Sequence, residues 1–143
     1  EHDTLGHITE SADVRREQHG KRLKKHEGIM SEALSPVISP QAKKAKTLIV
    51  TWGSNFGVVE DALDHLDDES VGHIHFPQVY PLPALGKKLL AKAEAIVVVE
   101  NNASGQFADL LEREYDVEVS TRVLQSDGNP FSVEALTKRF SKL

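Results

Sequence analysis

An apolar run that ends in an amide-rich turn and passes straight into an amphipathic helix constrains this chain more than any other feature. Residues 93 to 111 read AEAIVVVENNASGQFADLL. Ala95, Ile96, Val97, Val98 and Val99 show no alternation of polar and apolar side chains. The run therefore reads as a strand covered on both faces, as parallel strands in α/β folds are. Phe107, Leu110, Leu111 and Tyr115 follow at spacings of three and four, on one face of a helix. Between strand and helix lie Glu100, Asn101, Asn102, Ser104, Gly105 and Gln106, at the carboxyl end of the strand, where open α/β sheets place their contact surfaces.

The same pattern recurs on either side. Thr47 to Trp52 reads as a strand, and Phe56, Val59, Leu63 and Leu66 mark one face of the helix after it. Val71 to Phe76 gives a second strand, closed by Pro77, and Leu85, Leu89, Leu90 and Ala93 a second helix. After the strand Ala95 to Glu100 and a helix over Ser104 to Tyr115, a further strand is expected over Val117 to Leu124. A turn at Asp127, Gly128, Asn129 and Pro130 follows, then a last helix marked by Val133, Leu136, Phe140 and Leu143. Repeated strand–helix units imply right-handed crossovers, and so an α/β fold with a small, mostly parallel sheet and helices on both faces.

The first 46 residues differ in character. They are poor in large apolar side chains and hold nine Lys or Arg against seven Asp or Glu, whereas residues 47 to 143 hold eight against fifteen. Residues 1–46 read as an arm and residues 47–143 as the folded domain. Within the arm, residues 13 to 27 suit a charged helix despite Gly20, with Val14 and Leu23 as its main apolar anchors. The stretch SEALSPVISPQ, 31 to 41, has two Ser-Pro steps that disfavour helix and mark a linker or an extended crossing segment.

The 143 residues suffice for one domain with a real core. No apolar run approaches the roughly 18 residues of a membrane span, and no secretory signal is visible, so a soluble, cytoplasmic protein without membrane contact is expected. Without cysteine the chain forms no disulfide and ligates no iron–sulfur cluster through thiolates. The acidity of the main domain argues against nucleic-acid binding. The first residue is not Met, which we read as a processed or excised fragment.

Several groups invite a chemical reading. Gly53, Ser54, Asn55, Phe56 and Gly57 follow a strand and open a helix, so their N–H groups suit an anion, with Gly53, Ser54 and Gly57 as the candidates. The loop lacks the complete glycine pattern of a dinucleotide or phosphate loop, and the plainer reading is a tight turn with close helix packing. In ENNASGQ, Asn101 and Asn102 tolerate left-handed backbone and Ser104 suits a helix cap. Glu100, the two Asn and Gln106 nevertheless carry more hydrogen-bonding capacity than a turn needs. A structural turn and a ligand-lining or subunit-contact loop both stand. His2, Asp3, His7, Glu10, His19 and His26 show no standard metal-ligand spacing and read as a solvated arm, so no metal site is expected. His73 and His75 share one strand face and read as hydrogen-bonded core histidines. No catalytic residue is assigned.

Five segments together resemble a known family: Glu1 to Glu10 (EHDTLGHITE), Val50 to Gly57 (VTWGSNFG), His73 to Pro83 (HIHFPQVYPLP), Glu100 to Gln106, and Asp127 to Phe131 (DGNPF). In order and spacing they are similar to the carboxyl-terminal part of the alpha subunit of 2-oxoacid:ferredoxin oxidoreductases, most of all the 2-oxoglutarate type (2-oxoglutarate synthase). The resemblance implies a transketolase carboxyl-terminal-like domain, a three-layer α/β/α sandwich, with residues 1 to about 10 as the tail of a preceding domain. It implies that His2 and Asp3 lie near an active site, and that Glu100, Asn101, Asn102, Gly105 and Gln106 serve a family-specific role there or at a subunit interface. It implies thiamine diphosphate, Mg2+ and an iron–sulfur cluster held by other segments or subunits, with coenzyme A as co-substrate and no cofactor bound by this chain alone. The implied partners are the rest of the alpha subunit, the beta subunit and ferredoxin. The expected function is a non-catalytic domain for subunit assembly and active-site shaping in oxidative decarboxylation of a 2-oxoacid. The alternative is a free-standing small-molecule or nucleotide-binding α/β module.

Overall fold

The computed structural model describes all 143 residues, which group into two compact units, Glu1–Ala33 and Leu34–Leu143. In the first, a turn bridges His2 to Ile8 and helix α1 spans Ala12–Ser31. Ser11 caps α1 by accepting from the Val14 N–H. The helix runs four residues beyond the expected 13 to 27 and through Gly20 and Gly28. Its Arg, Lys and Glu residues are good helix formers, Asp13 pairs with Arg16 one turn on, and Ser31 Oγ bonds the Gly28 carbonyl at 2.7 Å. Leu23, Ile29 and Met30 stay exposed.

The second unit is built on a five-stranded sheet in the order β1-β3-β2-β4-β5. Strands β2 (Thr47–Trp52), β3 (Val71–Phe76), β4 (Ala95–Glu100) and β5 (Thr121–Leu124) are parallel, and β1 (Val37–Ile38) adds antiparallel to β3. Helices α2 (Phe56–Leu66), α3 (Ala84–Leu90), α4 (Gln106–Tyr115) and α5 (Val133–Phe140) complete it. Side chains alternate across the strands. Leu48, Val50, Ile74, Phe76, Ile96 and Val98 pack with α3 and α4, while Ile49, Val97, Val99 and Val123 pack with α2 and α5. The α/β three-layer sandwich with a small, mostly parallel sheet is thus the observed fold, and burial of both faces explains why its central strands read as continuous apolar runs.

Three expectations need correction. The segment with two Ser-Pro steps, read as a linker or an extended crossing segment, is extended only briefly: after Pro36 it supplies β1 and after Ser39 a short 3-10 turn, Pro40–Lys43. Ala42 of that turn lies against Gly72, where a Cβ would come within 2.5 Å of the Ala42 Cα. Strand β5 begins at Thr121 rather than Val117, since Glu112 Oε1 takes the Val119 N–H at 3.1 Å, a donor that a longer ladder would need. Helix α4 begins at Gln106 rather than Ser104, and what starts it lies in the turn itself.

Candidate functional site

The sequence order of the sheet creates a crevice. From β2 the chain crosses through α2 to β3, and from β4 through α4 to β5 on the other side, so the turns after the adjacent strands β2 and β4 diverge. An open cleft of about 570 Å³ lies there, lined by Ser54 and Asn55, by Asn101, and by the Gln125–Phe131 turn.

The turn from β4 into α4 is closed by its own side chains. Glu100 is fully buried; Oε2 accepts from Asn102 Nδ2 at 2.5 Å and from the Phe107 N–H at 2.9 Å, and Oε1 accepts from the Ala108 N–H at 3.1 Å. Asn102 Oδ1 accepts from the N–H groups of Ser104, Gly105 and Gln106 at 3.2, 2.6 and 3.4 Å. A carboxylate at a helix N-terminus satisfies orphan donors and faces the positive end of the dipole, so this arrangement fixes where α4 starts. Ser104, expected as the cap, is displaced from that role. The left-handed residue is Gly105, at φ 72°, and not Asn101 or Asn102. A Cβ on Gly105 would meet Arg122 Nη1 at 3.0 Å, and Arg122 is held by Asp109 at 2.5 Å and Glu112 at 2.6 Å. Glu100, Asn102 and Gly105 are therefore committed to the turn, whereas Asn101 and Gln106 are exposed.

The turn from β2 into α2 is left open. Gly53 takes φ 63° and begins one turn of 3-10 helix, Gly53–Asn55, that runs into α2. No side chain caps either helix start, and the first turn of α2 holds no acid. Gly53 meets the expectation of a tight turn, but Gly57 does not serve close packing, because a Cβ there would have nothing within 4 Å. Asn55 is only 5% exposed and lines the cleft, and its side chain makes no hydrogen bond with the protein. Trp52, one step beyond the Thr51–Val99 pair and so level with Glu100, packs on Phe107 with ring centroids 6.1 Å apart and buries an unpartnered indole N–H.

Beneath α2 lies a polar chain. His73 Nδ1 bonds Glu60 of α2, His73 Nε2 lies 2.7 Å from Thr51 Oγ1, and Thr51 Oγ1 lies 2.9 Å from His75 Nδ1. His73 and His75 are 1% and 7% exposed, and Phe56 covers both rings at centroid distances of 5.6 and 5.0 Å. Burial lowers the pKa of His73 although Glu60 opposes the shift; burial and the neighbouring His73 lower that of His75. These are hydrogen-bonded core histidines.

His2 and Asp3 lie in the first unit. Asp3 Oδ1 accepts from the Leu5 and His7 N–H groups at 2.8 and 2.9 Å, which holds its carboxyl below the usual range, and His2 is exposed. No three His, Asp or Glu side chains are grouped to hold a metal ion. Sequence reasoning placed Asn55 in the Gly53–Gly57 loop without singling it out, and read the turn at 127 to 130 without a part in the site; the two meet in the cleft. The second is organised by Gln125 Nε2, whose two N–H donors are shared among Asp127 Oδ1 and the carbonyls of Asn129 and Pro130, at 3.1, 3.1 and 3.3 Å. The DGNPF segment signals a turn, but its distance in sequence from Asn55 hides their meeting.

No protein-family model matches the chain. It is 32% identical over 137 residues to the 2-oxoacid:ferredoxin oxidoreductase subunit alpha of Saccharolobus solfataricus, covering 91% of this chain and 21% of that protein. It is 30% identical to subunit alpha of 2-oxoacid:ferredoxin oxidoreductase 2 of Aeropyrum pernix, covering 97% of this chain and 23% of that one. The chain thus spans between a fifth and a quarter of the length of these relatives. Among solved structures, 2-oxoglutarate:ferredoxin oxidoreductase from Magnetococcus marinus with 2-oxoglutarate, coenzyme A and succinyl-CoA bound matches 99% of this chain and 25% of that chain, with TM-score 0.84 and 25% identity. The alpha chain of a probable 2-oxoacid ferredoxin oxidoreductase from Thermoplasma acidophilum shares the fold, with TM-score 0.51 at 23% identity over 76% of this chain and 95% of that one. Sequence and fold agree that the chain belongs to the alpha subunits of the 2-oxoacid:ferredoxin oxidoreductases, as their carboxyl-terminal part.

Proposed function

We propose that this chain is a non-catalytic domain that serves subunit assembly and shapes the active site of a cytoplasmic enzyme carrying out coenzyme A-dependent oxidative decarboxylation of a 2-oxoacid. The observation that carries this reading is the state of the side chains able to do acid–base work. Glu100, His73 and His75 are buried and bonded within the domain, where they hold α4 and α2 in place. What the same loops offer outward is uncharged hydrogen-bonding surface at Asn101, Ser104 and Gln106, suited to contact. The exposed Leu23, Ile29 and Met30 of α1 add apolar surface of the kind that subunit association buries.

The residues present do not fit thiamine diphosphate with Mg2+. No group of carboxylates is placed to ligate the metal, and the cleft lining includes no Lys or Arg to meet a diphosphate. On this reading the cofactor, the iron–sulfur cluster and the contact with ferredoxin belong to other segments and to the beta subunit. The test is reconstitution of this chain with the remainder of its alpha subunit and the beta subunit, assaying 2-oxoglutarate- and coenzyme A-dependent viologen reduction. Activity that needs this chain, and association weakened by Gln106→Ala, is the expected result. Full activity without the chain, or no association, overturns the assembly role. The cleft at the strand ends favours a second reading, a small-molecule-binding module, which ligand-induced stabilisation of the isolated chain would support.

A further inference from the structure

We propose that the open turn between β2 and α2 is a binding site for one oxyanion group, a carboxylate or a phosphate, held by the N-terminal end of α2 together with Asn55. The site is independent of whether the domain works alone or in an assembly.

Two observations converge on it. The helix start at Gly53–Phe56 borders the cleft with no side-chain cap and no acid in its first turn, so no side chain meets its leading N–H donors or the positive end of its dipole. Asn55 is 95% buried, since it is 5% exposed, and yet its amide pairs with nothing in the protein while lining that cleft. The little surface Asn55 keeps opens on the cleft, so its amide is available to a ligand there. The space is also free, because neither Gly53 nor Gly57 would place a Cβ within 4 Å of another atom.

The fold itself shows which chemistry completes such an end. One strand away, the carboxylate of Glu100 accepts from two N–H groups of α4 and from the amide of Asn102. The open turn offers the same donors, helix N–H groups and an Asn amide, with the carboxylate missing, and Ser54 adds a hydroxyl beside them. With no Lys or Arg in the lining, the site suits a single oxyanion group rather than a polyphosphate. The rim carboxylate Asp127 is turned toward the Gln125 amide and the Asn129 N–H.

The test uses the 15N-labelled chain titrated with sodium acetate or with inorganic phosphate at constant ionic strength, chloride being the balancing anion. Saturable amide shifts centred on Gly53, Ser54, Asn55 and Gly57 are expected. Saturation by acetate identifies a carboxylate ligand, and saturation by phosphate a phosphorylated one. Asn55→Asp should weaken the binding at least tenfold, because the new carboxylate takes the place at the helix end that Glu100 takes at α4. Gly57→Glu, which places a carboxylate in open space, should do the same while spectra away from the cleft stay unchanged. Shifts that fail to saturate, that chloride reproduces, or that survive both substitutions at full strength would overturn the proposal.

Discussion

Two turns at the same edge of one sheet carry a strand into a helix, and they anchor those helices by different means. After β4, Glu100 and Asn102 accept from five N–H groups at the start of α4. After β2, no side chain caps α2, and the helix is held from its flanks instead, by the bond between Glu60 and His73 and by packing on α5, where Thr137 Oγ1, bonded to the Val133 carbonyl at 2.9 Å, also lies 3.3 Å from the Ala62 carbonyl. The contrast teaches that a capped end spends its donors on the fold, whereas a helix fixed along its side can leave its end available.

Substitutions can break the contrast, beginning with the buried carboxylate. Glu100→Ala leaves two helix N–H groups and an Asn amide unmet in the interior and should cost about 3 kcal/mol, read by urea unfolding. A loss under 1 kcal/mol would show that α4 does not depend on its cap. Gly105→Ala combines a left-handed backbone with a 3.0 Å approach to Arg122, for a loss of about 2 kcal/mol. Its counterpart Gly53→Ala has the same backbone strain and open space, so about 1 kcal/mol is expected. Equal losses at the two glycines would mean that the Arg122 contact is irrelevant.

The last prediction concerns acid. The unfolded chain takes up protons on His73 and His75 near the ordinary value of about 6.5, whereas the folded chain resists until lower pH because both pKa values are depressed. Stability from these groups is thus complete above that value and declines as pH falls through it. At neutral pH the loss vanishes. Hydrogen exchange at pH 5.5 should open α2 before α4, and His73→Gln with His75→Gln should flatten the dependence; α4 opening first would reverse the assignment.

The fold was legible where local pattern and burial coincide. Thr47–Trp52 and Ala95–Glu100 stand where their apolar runs place them, because strands covered on both faces are mostly apolar, and Val71–Phe76 stands where expected although His73 and His75 interrupt it, since hydrogen bonds to Glu60 and Thr51 let both be buried. Strand β1 was legible at most as extended chain, since two residues after a proline pair only through contact with distant Ile74 and His75. In the site, the polar excess of ENNASGQ was visible, but its use was not. Whether Glu100 faces water or the N-terminus of α4 is decided by the turn of Gly105, and Asn55 resembles any helix-capping residue until its burial is known.

The sheet's two margins limit how the domain can meet another protein. On one side β1 and the 3-10 turn at Pro40–Lys43 lie over β3, so tightly at Gly72 that no side chain would fit; on the other, β5 is four residues long and carries Arg122 clamped between Asp109 and Glu112. Neither margin offers a long bare ladder for a foreign strand to extend. Growth by strand addition, the usual route of sheet domains into fibres, is thereby discouraged. A neighbour must dock on helices or on the loops at the strand ends, so the same architecture that guards against aggregation steers recognition toward the turns.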